Sequence, residues 1–346
     1  MAAAPYGRLV RRVFQGPGTA ESVAVDREVL CPEQTATTRP PVFLTGQLDR
    51  VTASTGHNPL SVEIESMLAV RYTHAPTIAY HLRDAVLHDG SIYAKNMRHF
   101  IGRRTGRAGQ VRHIRKGALA SSAVGYTYFG HWLRDDCCQY LLAEQAGHPI
   151  CVFRPSAFEH LPPYASCLRQ AWTPMEYAVF GELTIYQDFA QNSLKHQRYR
   201  ILSQRLAESF PPPLRRDKLI YLRRGNTGAA RVVKDEPELI NALQRNGFEI
   251  VDVAGPLSEI IPTLQRAKLV ISMEGSHVAH CTFTLDPGCG LVLLQPADRF
   301  TAIHRHWTEC VGVGLGFVVG EVDRAAYVFH PEEILRTADL VLSGLA

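Results

Sequence analysis

Val270-Ile271-Ser272-Met273-Glu274-Gly275-Ser276-His277-Val278-Ala279-His280 begins as a short apolar run and passes, at a glycine, into a segment carrying a carboxylate, a hydroxyl and two imidazoles. A short apolar run bounded by glycine reads as a strand buried on both faces, and a strand running straight into a helix start is the repeating unit of α/β folds. The pattern recurs on both sides: strand 218–222, helix 236–246 closed by Gly247, strand 248–253, helix 258–267, strand 268–272, helix 276–284 and strand 290–294. The chain is therefore expected to be α/β, with a parallel sheet covered by helices on both faces in this half. The helix at 236 is the best signalled: Asp235 is placed to cap it, Glu238 completes a capping box and Pro237 sits in its first turn.

A chain of 346 residues exceeds the usual single domain. Pro211-Pro212-Pro213, after a helical pattern from Leu194 to Phe210, marks the expected boundary. This gives a first domain over 1–210, a second over 214–330 and a terminal helix over 331–346. Before the boundary, Val62 to Val70 reads as strand, and a helix starts near His131, with Leu133, Cys137, Tyr140 and Leu141 at helical spacing and Gly147 at its end. Strand candidates at 150–153 and 182–186 make this half α/β too. Two sheet domains joined by a hinge imply a cleft, with ligands at the carboxyl ends of strands.

With 46% hydrophobic and 20% charged residues, the chain has the composition of an ordinary globular protein. Net charge is only +4, but arginines gather in Arg98, Arg103, Arg104 and Arg107 and continue through Arg112, Arg115 and Lys116. Such a run suits phosphate, nucleic acid or anionic lipid, or is simply a solvated basic loop. The eight cysteines form no C-x-x-C pair, which argues against a zinc ribbon or a disulfide scaffold and for reduced thiols in a cytoplasmic protein. Arg8, Arg11 and Arg12 precede no apolar signal core, and no apolar run is long enough to span a bilayer, so any membrane contact is expected to be peripheral.

Three strand ends of the second half carry polar groups. Arg223-Arg224 before Gly225-Asn226 offers paired donors for diphosphate oxygens. Arg231 and Glu236, flanking Asp235, are candidate ligand contacts. Gly275-Ser276 opens a helix whose free amides form an anion site. Neither a Walker A loop nor a dinucleotide fingerprint is present, which removes weight from kinase, ATPase and NAD-enzyme readings. His277 and His280 share a helical face compatible with metal ligation, but no third ligand is recognisable. In the first half, His131, Asp135 and Asp136 follow Phe129-Gly130, and an imidazole or a carboxylate there is a candidate general base. The plainer alternative packs His131 and Trp132 into a core and leaves the two carboxylates to favour the helix start.

Taken in order, Arg223-Arg224, Arg231 leading to Asp235-Glu236-Pro237-Glu238-Leu239, Gly247-Phe248, Leu257-Ser258-Glu259, Ala267 to Ile271 and Glu274-Gly275-Ser276 with His280 resemble glycosyltransferase family 61. The upstream Gly130-His131-Trp132-Leu133 belongs to the same resemblance, which runs continuously from about Lys218 to Pro296. It implies a GT-B architecture, two Rossmann-like domains facing each other across a cleft, and inverting transfer of a sugar from a nucleotide donor to a glycan hydroxyl. For bacterial members it implies a place in capsular or other surface polysaccharide synthesis. Two positions depart: many members have Asn at Asp235 and His-Gly-Ala at Glu274-Gly275-Ser276, so no histidine role carries over to position 274.

Sugar transfer needs the departing phosphates neutralised and an acceptor hydroxyl deprotonated. Arg223, Arg224 and the Gly275-Ser276 turn suit the first need; His131, with Asp135 as runner-up, suits the second. Glu274 becomes a candidate for ribose or sugar hydroxyls, and His280 for phosphate or sugar. No D-x-D motif stands in a suitable loop, in keeping with a nucleotide-sugar co-substrate and no metal. The expected partners are the nucleotide sugar and a glycan or lipid-linked acceptor, not nucleic acid. The rivals are an inactive sugar- or nucleotide-binding protein of the same fold and a scaffold that holds polyanions through Arg98 to Lys116.

Overall fold

The computed structural model describes residues 18–103, 109–154, 158–225 and 230–345. Arg8, Arg11, Arg12, Arg104, Arg107 and Asn226 of the sequence expectations lie outside the described residues. The chain divides into two units: Met1–Gln34 with His74–Arg198, and Thr35–Thr73 with Tyr199–Ala346.

The first unit is built on β1 (Asp26–Cys31), β4 (Thr77–His88), β5 (Ser91–Ala94), β6 (Met97–Phe100), β7 (Arg112–Leu119), β8 (His148–Val152), β9 (Pro174–Met175) and β10 (Tyr177–Gln187). Their order is β6-β5-β4-β10-β7-β8-β9, with β1 also on β4; β4 to β6 form an antiparallel meander, and β10, β7, β8 and β9 run parallel. Leu82, Leu87, Ile92, Leu119, Ile150, Phe180 and Ile185 are the buried centre of its core. After β7 the chain enters a helical run, Ala123–Thr127, Phe129–His131 and Cys137–Ala146, with a single π-helical turn over Trp132–Asp136. The last helix packs on β7 and β8 and ends at Gly147, so the helix expected near His131 is present and its start lies at a strand's carboxyl end.

The second unit holds β11 (Lys218–Arg223), β12 (Val232–Val233), β13 (Phe248–Asp252), β14 (Ala267–Met273), β15 (Gly290–Pro296), β16 (Gly314–Asp323) and β17 (Ala326–Val328). β13-β11-β14-β15-β16 are all parallel neighbours, and antiparallel β17 with β12 extends the sheet. Numbered among themselves, the parallel strands stand second, first, third, fourth, fifth: a doubly wound order that reverses between β11 and β14. The mixed α/β class is thus present in both units. The apolar runs of β14 and β15 are wholly buried, as a sheet covered on both faces requires, and full burial of each Leu, Ile or Val contributes about 1.5–3 kcal/mol relative to exposure.

Several expectations need correction. Val62 to Val70 is not a strand: Leu60–Leu68 is a helix, because Leu60, Glu63, Ile64 and Met67 recur at a helical period, with Met67 wholly buried. Asp235 precedes the helix Glu236–Arg245 but makes no side-chain cap; its backbone is left-handed (φ 52°), which Asp and Asn tolerate better than most residues, and the Glu238 amide reaches its carbonyl instead. The segment after Gly275 is a 3₁₀-helix, Ser276–Phe283, not an α-helix.

The division into two units falls at Gln34/Thr35, Thr73/His74 and Arg198/Tyr199. Thr35–Thr73 joins the second unit because its partners lie there: Val42 pairs with β16, Thr52 and Ala53 donate to the Ala297 carbonyl, and Arg50 grips Glu333 at 2.7 and 2.6 Å. The helix Ser193–Ser209 changes unit at Arg198/Tyr199: Arg198 is anchored on Asp188, whereas the Tyr199 ring meets Phe283 at 5.9 Å. A further strand pair, β2 (Gln34–Thr37) with β3 (Arg71–His74), frames Thr35–Thr73. The terminal helix is Pro331–Ser343.

Candidate active site

In the first unit, Ala120-Ser121-Ser122 follow the strand β7, and Ser122 fixes the turn after them. Its hydroxyl accepts the Gly125 amide, while its own amide and hydroxyl donate to Asp136. Gly125 lies so close to this carboxyl that a Cβ would stand 2.1 Å from Asp136 Oδ2. Burial pushes Asp136 up to about 8, so at neutral pH it is mostly a protonated structural acid, not the exposed helix-favouring carboxylate of the plain sequence alternative.

One turn of helix links His131 to Asp135. Nδ1 of His131 lies 2.7 Å from Asp135 Oδ2 and 3.2 Å from Arg134 Nη2. A carboxylate can only accept and a guanidinium only donate, so Nδ1 cannot serve both. The shorter contact, and the 3.3 Å reach of Arg134 Nη2 to the same oxygen, put the proton on Nδ1. Nε2 then carries the lone pair, and it has no hydrogen-bond partner among the described residues. Burial opposes the charge of Asp135, but Arg134, Lys195 and His131 more than offset it and hold the carboxyl well below the usual carboxylate range. The pair is the arrangement of a base with its orienting carboxylate. Asp135 and His131, alternatives from sequence, are here one unit.

In the second unit, the polar groups gather at the carboxyl ends of β11 and β14, on either side of the strand-order reversal. Glu274, 4% exposed, meets Arg231 Nη2 at 3.1 Å and His304 Nε2 at 3.6 Å. Trp307 Nε1, a pure donor, lies 2.9 Å from His304 Nδ1, so the His304 proton is on Nε2 and faces Glu274. Burial would raise the Glu274 pKa; His304, Arg231 and Arg224 overcome it and leave the carboxyl below its ordinary value.

Ser272 donates to the Leu222 carbonyl at 2.8 Å, so its oxygen accepts from His277 Nε2 at 2.9 Å. His277 Nδ1 is therefore the acceptor facing Arg224 Nη1 at 3.4 Å. Burial, and then Arg224, depress the His277 pKa and keep the ring neutral, and its hydrogen bonds tie Ser272 to Arg224. Gly275 permits a close approach here: a Cβ would stand 1.9 Å from Arg224 Nη1.

Arg224 reports the local charge. Burial first, then Arg231 and Arg299, pull its pKa down to about 10 against the opposing effect of Glu274. Arg231 and Arg224 thus act on one carboxylate while Arg299 adds its charge to Arg224, and Nε of both Arg231 and Arg299 is buried with no hydrogen-bond partner among the described residues. Buried donors without partners in a cation-rich turn suit an anion with several oxygens.

Residues 129–292 match the family model for glycosyltransferase 61. This stretch is similar to glycosyltransferase family 61. No curated protein matches the chain. Among solved structures, a flavo di-iron protein variant from Thermotoga maritima is similar at 11% identity over 78% of this chain and 65% of that one, with a TM-score of 0.28. The chain thus spans less than two thirds of that relative, and so low a score carries no structural argument.

The family 61 segment contains both clusters: the His131–Asp135 pair at its start, and Arg224, Arg231, Glu274, Gly275 and half-buried Ser276 toward its end. His280 is buried in the same neighbourhood and acts electrostatically on His277. Two expected contacts, Arg223 and Glu236, are paired with each other. Arg223 Nε donates to Glu236 at 3.0 Å and its Nη1 lies 3.5 Å from Asp252, while Glu236 also receives the Tyr221 hydroxyl. Arg299 and His304 fall beyond the family segment, and no motif signalled either; the chain after β15 brings His304 to Glu274 and the charge of Arg299 to Arg224.

Proposed function

We propose that the chain is an inverting glycosyltransferase that moves a hexosyl or pentosyl group from a nucleotide sugar to a hydroxyl of a glycan acceptor. The observation that carries this reading is that the charges of Arg231 and Arg299 act on Arg224 beside the strand-order reversal, with two buried guanidinium nitrogens unpartnered among the described residues. Anions of nucleoside diphosphates are the donors' leaving groups, and preorganised guanidiniums stabilise the charge that develops as one departs. His131 Nε2 takes the acceptor proton as the acceptor oxygen attacks the anomeric carbon and the bond to the diphosphate breaks. Asp135 holds the Nδ1 proton and stabilises the imidazolium that forms. The arrangement proposed is GT-B-like, with cations of the protein, not a resident metal, balancing the diphosphate. No described helix is long and apolar enough to cross a membrane; the proposed setting is the cytoplasm, in capsular or other surface polysaccharide synthesis, with peripheral access to a lipid-linked acceptor.

The test is release of nucleoside diphosphate from a panel of UDP-, GDP- and CDP-linked sugars. One donor should be hydrolysed slowly alone and faster with a glycan acceptor, and His131→Ala should abolish both. Release from none of them by folded protein, or undiminished release in His131→Ala, overturns the reading.

A further inference from the structure

Lys195 belongs to no motif, yet its side chain is 0% exposed and its Nζ lies between two carboxylates, 3.5 Å from Asp135 Oδ1 and 3.3 Å from Asp188 Oδ2. Asp188 is its nearer partner and draws on its charge, but not on Lys195 alone. Arg198 already grips Asp188 in a fork at 2.6 and 2.7 Å, and Thr77 Oγ1 adds a contact at 3.2 Å. The Lys195 amide is capped by Asn192 Oδ1 at 3.1 Å, and Asn192 Nδ2 is tied to Thr77 at 2.9 Å, so the start of the helix Ser193–Ser209 is locked to the sheet. A rigid helix end thus delivers a buried ammonium to the oxygen of Asp135 that His131 does not use.

We propose that Lys195 is a positioning residue for the His131–Asp135 pair: it holds Asp135 by Oδ1, so that Oδ2 faces His131. The inference rests on His131 being the base. A buried carboxylate alone would favour imidazolium, which has no lone pair to offer; a cation behind the carboxylate counters that pull. The groups facing the pair are Arg134 on its own helix, the Cys138 thiol one turn on, and Lys195 from the helix Ser193–Ser209, with Asp188 and Arg198 behind.

The experiment is an NMR titration of the His131 ring in the full chain, compared with Lys195→Met and Asp188→Asn. Coulomb's law over two contacts in a partly buried site gives an upward shift of about one pH unit or more for Lys195→Met. The acid limb of the turnover profile should move by the same amount, an approximately tenfold loss of rate on that limb per unit. Asp188→Asn should shift the ring the opposite way, which keeps the inference testable where Lys195→Met does not fold. Destabilisation alone, with the His131 titration unmoved in the folded variants, overturns it. Undiminished turnover in His131→Ala removes the reading on which it rests; an inactive His131→Ala with an unmoved ring removes this inference alone.

Discussion

His131 Nδ1 and Asp135 Oδ2 stand 2.7 Å apart across one helical turn, and that contact decides which ring nitrogen can accept a proton. Asp135 is 5% exposed, so the pair works in an environment where a misplaced proton is costly.

Asp135→Asn keeps the shape and removes the charge. Turnover of the donor should fall about 10²- to 10⁴-fold with little change in donor KM, since the loss is in proton transfer rather than binding. Steady-state kinetics of nucleotide release measure it, and an equal rise in KM with kcat intact would count against the assignment.

Arg231→Ala leaves Glu274 buried beside fewer cations. Breaking a buried pair costs about 3–5 kcal/mol, so urea unfolding should show a loss of that order. Glu274→Gln added to it should recover a good part; additive losses would mean that the 3.1 Å contact is not coupled.

Gly275→Ala puts a Cβ where Arg224 Nη1 now lies, 1.9 Å away, and the flexible guanidinium must give way. Calorimetry with UDP and GDP should show binding weakened about tenfold for whichever nucleotide the wild type prefers, the size expected for a charge-assisted hydrogen bond. The melting temperature should change less than in Arg231→Ala.

Asp136 sets a pH window. Its carboxyl titrates near 3.8 unfolded and about 8 folded, so between these values the folded chain keeps a proton that the unfolded chain has lost. Stability from this group therefore falls as pH rises across the window. Asp136→Asn should flatten the decline of melting temperature between about pH 5 and 8; an unchanged slope would remove the raised pKa.

A fragment beginning at residue 214 should fail to fold, because it lacks Val42 on β16, the Arg50–Glu333 fork and the Ala302 amide's acceptor Glu63. Near-ultraviolet circular dichroism reads the outcome. A cooperative fold would put the boundary back at Pro211–Pro213.

The parallel half was legible because its signals are local. Buried runs such as Val270-Ile271 and the Pro237 helix start announce their elements within a few residues. Thr35–Thr73 was not, since its partners lie some 240 to 290 positions away and are single bridges and ion pairs without a period. Asp235 misled because it has the composition of a cap, while only its backbone angle shows that it is a turn residue. His304, Arg299 and Lys195 carry no motif at all.

By itself the sequence determined the α/β class, the family 61 resemblance and most of the residues with chemistry to offer, because residue type and short-range spacing encode these. The tertiary structure decided which of those residues work together. Arg223 pairs with Glu236 and Asp252, whereas Arg224 turns toward Glu274 and His277. That difference between adjacent arginines is invisible in the chain, because consecutive residues at a strand end project to opposite sides and only the packed sheet determines what lies on each.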